Sequence, residues 1–129
     1  MKKQTDNFSK TIKVGRVASL SDICTEVSSG KQYIRFTLAV NKDNAKPDYY
    51  PCIAYNAIGR YVERYIHVGD KVVVIGSDFI TLKKVSKDLQ HKSVQIIAES
   101  VLPYDSEEAV SVLNAMQNVF SYATGRISV

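Results

Sequence analysis

The sequence predicts a mainly β protein: one small closed barrel, with a helix inserted part-way along the chain and a second helix at its end. Three observations predict it. Residues 33–41 and 49–55 alternate their side chains with the period of two that a half-buried strand requires. Residues 56–68 switch to the period of a helix, and residues 71–76 return to a short, almost continuous apolar run. The 129 residues, 45% hydrophobic and 23% charged, suffice for one domain around one modest core.

In chain order, residues 1–10 are polar and read as a flexible N-terminus. Residues 11–20 read as a strand in which Gly15 marks a bulge or bend. Residues 21–30 are polar and turn-rich. Along 33–41, Ile34, Phe36, Leu38 and Val40 form the apolar face, and Tyr33, Arg35, Thr37 and Ala39 the other. Residues 42–48 read as a charged loop containing Pro47. In the next strand Tyr49, Ile53 and Tyr55 share one face, while Tyr50, Cys52 and Ala54 take the core side.

The helix over 56–68 aligns Ile58, Val62, Tyr65 and Ile66 on one face, with Asn56 as its N-cap and Gly69 as its stop. Tyr61 and Tyr65 are expected in the core or at the helix edge. Residues 71–76 read as a buried strand that Phe79 to Leu82 continue beyond a kink at Gly76. Residues 83–92 form a basic loop, and 93–102 the last strand. Three strands, a helix and two strands is the order of an OB-fold, a five-stranded Greek-key barrel with its helix after strand 3. An SH3-like barrel has no helix there. Residues 106–122 regain a helical period through Val110, Leu113, Met116 or Gln117, and Phe120. Glu107 and Glu108 suit its N-terminal dipole. This extra C-terminal helix is expected to bury Val110, Leu113, Met116 or Phe120 against the barrel or a neighbouring protomer. The expected division is 1–10 flexible, 11–104 OB-fold domain, and 105–129 helix and short tail.

The net charge of +4 conceals an asymmetry. Residues 1–98 carry sixteen Lys or Arg against nine Asp or Glu, and residues 99–129 carry four acids against Arg126. A basic body attracts polyanions. No apolar run approaches a membrane span, and the N-terminus lacks the apolar core of a signal peptide. Two cysteines without zinc spacing, and the isolated His67 and His91, suggest neither a disulfide framework nor a metal site, and fit a reducing cytoplasm. No nucleophile–base set, phosphate-cradling loop or carboxylate cluster supports an enzyme, and no cofactor is expected.

Five segments resemble the bacterial single-stranded DNA-binding protein family: VGRV (14–17), IRFTLAVN (34–41), DYYPCIAY (48–55), YIHVGDKV with VIG (65–72 and 74–76), and IAESV (97–101). They follow the family's order across about residues 10–104. The resemblance implies an OB domain that assembles as a homotetramer, or a dimer, and wraps single strands with little sequence preference. It places the family's stacking aromatics on Tyr49 and Tyr55 and a family arginine on Arg16. There are departures. The chain has no tryptophan, and Asn56 stands where a glycine often follows the second aromatic. Phe79 is the one aromatic near the base of the loop before the last strand. The ending lacks the flexible linker and acidic tip that recruit partner enzymes, which points to a mobile-element or accessory paralogue.

The expected function is therefore non-catalytic binding of single-stranded DNA in replication, recombination or repair. Tyr49, Tyr55 and Phe79 would stack on bases, and Arg16, Arg35, Lys13, Lys42, Lys46, Lys83, Lys84 and Lys87 would meet phosphates or bases. The alternative is a protein-interaction OB module, a primosome or conjugation accessory factor, whose Tyr49 and Tyr55 pack on a protein.

Overall fold

The computed structural model describes residues 8–43, 45–87 and 89–124. The elements run β1 (Phe8–Leu20), β2 (Cys24–Thr25), β3 (Gln32–Lys42), β4 (Ala45–Tyr55), α1 (Asn56–Tyr65), β5 (Lys71–Ser86), β6 (Leu89–Pro103) and α2 (Glu107–Thr124). Five long strands close in the order β1–β5–β6–β4–β3 and back to β1, with β4 and β6 parallel and the other pairs antiparallel. This is the expected OB barrel. The two-residue β2, inside the predicted turn 21–30, adds a short edge beside β3, so the helix follows the third barrel strand and the fourth strand of the chain.

Alternation along the strands fills the barrel. Ile34, Phe36 and Leu38 of β3 meet Cys52 and Ala54 of β4, Val72 and Val74 of β5, and Ile96, Ala98 and Val101 of β6. Val62 and Ile66 close one end, with Ile58 and Tyr61 packed against them. Gly15 lies where β1 passes between partners, since its neighbour Arg16 pairs with both Lys71 and Ala39. A Cβ at Gly15 would lie 2.4 Å from the Ala39 carbonyl oxygen. That absence of a side chain lets β1 and β3 approach and close the barrel. Gly76 sits at the register shift that the sequence marked as a kink, where a Cβ would lie 2.2 Å from the Ile97 carbonyl oxygen.

Several boundaries differ from the sequence reading. Phe8 to Lys10 belong to β1 and pair with Phe79 to Ser77, so the strand begins inside the segment expected to be flexible; residues 1–7 lie outside the described residues. The predicted loop 42–48 is a tight hairpin, because Lys42 pairs directly with Ala45. The predicted basic loop 83–92 is also a hairpin: Lys83 pairs with His91 and Lys84 with Gln90. Lysines there are held by ladder hydrogen bonds rather than by a core, and composition alone reads such a ribbon as loop.

Asn56 is not an N-cap. It is the first helical residue, with φ of 52°, and Tyr55 precedes it in extended conformation with no capping side chain. Positive φ favours glycine, and asparagine is among the few other residues that tolerate it. This is a physical reason for an asparagine at position 56. Nor does Gly69 stop α1, which ends at Tyr65. Gly69 serves the following turn with φ of 96°, its amide donating to the Val17 carbonyl. Tyr65, in the last turn of α1, is 57% exposed and lies at the helix edge, its ring centroid 5.0 Å from that of half-buried Tyr61.

The N-cap of α2 is Ser106, whose hydroxyl accepts from the Ala109 amide at 3.1 Å and donates to the Pro103 carbonyl at 2.8 Å. Helix α2 buries Ala109 fully and Val112 and Leu113 in part, while Val110 and Met116 stay exposed on the single chain, so of the two expected covers the barrel is not theirs. Nothing is described of the Phe120 side chain. Glu108 lies near enough to Tyr61 that, after burial, its charge helps push the phenol above its ordinary range.

Candidate nucleic-acid interface

The exterior of the β3–β4 pair carries the residues of interest, and register fixes their order. Ala39 pairs with Tyr49, Thr37 with Pro51, Arg35 with Ile53, and Tyr33 with Tyr55. Directly opposed residues of an antiparallel pair share a face, and the buried residues between them (Ile34, Phe36, Leu38, Cys52, Ala54) point inward. The parity expected for Tyr49 and Tyr55 is therefore the parity observed. Ile53 shares their face yet is only 4% exposed, so the surface between the tyrosines has an apolar floor. A shallow cleft of about 360 Å³ is lined in part by Ser19, Arg35, Thr37, Pro51 and Gln95.

The two tyrosines occupy opposite ends of this surface. Six residues of strand separate them, about 20 Å at ~3.4 Å per residue. Tyr49 is 61% exposed. Tyr55 is half-buried, its ring centroid 6.1 Å from that of Tyr33 at an interplanar angle of 55°, with the Lys31 ammonium 5.5 Å from its centroid. The Arg35 guanidinium is in turn 5.5 Å from the Tyr33 ring. Tyr33 and Lys31 were not among the sequence candidates. The alternation that put Tyr33 on the outer face was visible, but its position opposite Tyr55 needs the register.

The other candidates are spread around the barrel. Arg16 lies in the Tyr49 row, across Ala39, two strands from β4, and donates to the Gly69 carbonyl at 3.1 Å. Phe79, half-buried, pairs with Gln95, so it too faces outward, two strands from β4 on the opposite side. The barrel curves between these groups. Lys13 pairs with the core residue Val74 and places its ammonium 4.7 Å from the Tyr50 ring, on the inward parity. Lys42 is in an ion pair with Asp48 at 3.2 Å, and Lys46 is exposed on the same hairpin. Lys83 and Lys84 lie on β5 and Lys87 at the tip of the β5–β6 hairpin, with Lys84 and Lys87 exposed. The structure thus gathers Tyr49, Tyr55 and Arg35 on one sheet surface, and leaves Lys13 and the hairpin lysines at its margins.

Among the described residues no group of His, Cys, Asp and Glu is arranged to hold a metal ion. Cys52 is buried and its thiol is pushed up to about 12 by that burial, which leaves it a packing residue. No helix of the described residues is long and apolar enough to cross a membrane.

A sequence model described as the single-strand binding protein family matches residues 8–104, the whole barrel from β1 through β6. The chain belongs to this family. A single-stranded DNA-binding protein of Clostridium perfringens (strain 13 / Type A) is 32% identical over 72 residues, covering 54% of this chain and 48% of that protein. The chain therefore matches about half the length of this relative. Two crystal structures of the mitochondrial single-stranded DNA-binding protein of S. cerevisiae superpose with TM-scores of 0.62, at 16% and 18% identity. Each covers 74% of this chain and 94% of the yeast chain. At that identity the likeness is one of fold. Within the family's barrel, tyrosines alone supply the outward rings of the β3–β4 surface.

Proposed function

We propose that this protein binds single-stranded DNA along the exterior of β3 and β4, with little sequence preference and without catalysis. The observation that carries the reading is the placement of Tyr49 and Tyr55 on one outward face of one strand, with Lys31 and Arg35 beside the rings at the Tyr55 end. Rings offer stacking to any unpaired base, and the cations offer neutralisation to the phosphates between them. Family membership and the +4 net charge support the same reading. Assembly into an oligomer, a tetramer or a dimer, would link several such faces, so that a strand held on one finds the next at high effective concentration. Replication, recombination or repair, in a chromosome or a mobile element, are the processes that expose such strands. Two free cysteines suit a reducing compartment such as the cytoplasm.

A fluorescent oligo-dT, titrated in competition with unlabelled duplex, tests the reading. Single strands should bind far more tightly than duplex at physiological salt. Equal affinity for the two would leave only charge attraction, and no binding of either would favour the alternative, a protein-interaction module.

A further inference from the structure

Four side chains at one end of the β3–β4 surface form a ladder: Lys31 over Tyr55, Tyr55 against Tyr33, and Arg35 over Tyr33. Arg35 shares the outward face of β3 with Tyr33, two residues along, and Lys31 lies just before the strand. We propose, building on the single-strand reading above, that Tyr33 is a base-stacking platform in its own right. In the free protein Lys31 and Arg35 rest on the two rings, and an arriving base displaces each cation onto its phosphate.

The geometry carries both halves. The tilt of 55° at 6.1 Å leaves no parallel slot between the rings, so a base cannot insert between Tyr33 and Tyr55. It can stack only on a ring face, and those faces are attended by cations at 5.5 Å. An exposed cation over a ring is held more weakly than a stacked base, so the base prevails. The displaced ammonium or guanidinium stays within a side chain's length, beside the sugar–phosphate chain that the base brings with it. Stacking and phosphate neutralisation then occur together at this end, whereas Tyr49 has no such cation over its ring among the described contacts. The ligand is single-stranded nucleic acid, read through base faces and phosphates.

Four measurements test this. Tyr33→Leu should weaken oligo-dT binding by about 5- to 150-fold, as loss of one stacked base does. Tyr33→Phe should stay within about twofold, because the ring face is kept. Arg35→Gln should make the salt dependence shallower by about 0.7, one phosphate's worth for a single strand. Photocrosslinking of wild-type protein to dT carrying iododeoxyuridine should label the tryptic peptide of residues 32–35, in which Tyr33 is the only aromatic. That readout does not depend on how any variant folds. If Tyr33→Leu binds like wild type and crosslinks avoid that peptide, while Tyr49→Ala is weakened, the ladder is cross-strand packing only and the proposal falls with the binding face intact. If wild type fails to bind oligo-dT at all, the single-strand reading itself fails.

Discussion

At the scale of single residues, opposite parity on β4 separates binding from packing. Tyr49 faces solvent, and Tyr49→Ala should lower oligo-dT affinity by about 1–3 kcal/mol while leaving the thermal midpoint nearly unchanged. Cys52 is 1% exposed. Cys52→Tyr should do the reverse, costing about 1–3 kcal/mol of stability through overpacking with the outward face chemically unaltered. Titration by fluorimetry and thermal unfolding of both variants checks the pair. The cysteines offer a second test. Only a thiolate attacks a disulfide reagent, and burial keeps the Cys52 thiol protonated to about pH 12, whereas Cys24 is half-exposed near the Asp22 carbonyl. At pH 8 a thiol reagent should therefore modify one cysteine in the native protein, Cys24, and two after denaturation. Rapid modification of two in the native state would show that β4 opens readily.

At the scale of elements, barrel closure depends on β1 touching both β5 and β3, and Gly15 sits at that crossing. Gly15→Ala puts a methyl 2.4 Å from the Ala39 carbonyl oxygen, so the backbones must part. We expect a loss of about 1–3 kcal/mol by denaturant unfolding, with weaker binding at the Tyr49 row because Ala39 is Tyr49's partner. The inward alternation of Ile34, Phe36 and Leu38 and of Cys52 and Ala54 was legible in the sequence, since a barrel core leaves that pattern nowhere else to go. The hairpins at 42–45 and 83–91 were not, because strands with no core beneath them carry no apolar alternation. Tyr65 was expected in the core or at the helix edge, and of the two it takes the edge, its ring against that of Tyr61. Tyr33 was placed on the correct face and its contact with Tyr55 missed, because a cross-strand neighbour is a property of register, which composition does not encode.

At the scale of the whole molecule, charge and assembly are the testable quantities. With on the order of five phosphates neutralised per protomer, log K against log salt should fall with a slope near −3.5, measured by titration at several salt concentrations. A flat dependence would favour a protein partner. Helix α2 rests on β6 through its first turns and leaves Val110 and Met116 at 48% and 42% exposed. An amphipathic helix of this length is marginal unless packed, so deleting residues 105–129 should lower both stability and oligomeric state, read by thermal unfolding and light scattering. Unchanged values for both would remove any structural role for the helix.

The β5–β6 hairpin has one more consequence. Strand β1 accompanies β5 only as far as Phe79, and among the described residues Ile80 to Ser86 pair with β6 alone. Among the described residues no strand pairs with their outer backbone groups, and Leu82 and Leu89 beside them are both more than half exposed. Such an edge is a template on which a second chain can add by hydrogen bonding, the first step of aggregation. Lys84 and Lys87, both exposed, put like charges on that edge and oppose its pairing with a copy of itself. The basic character of this ribbon thus guards solubility whether or not a polyanion is bound.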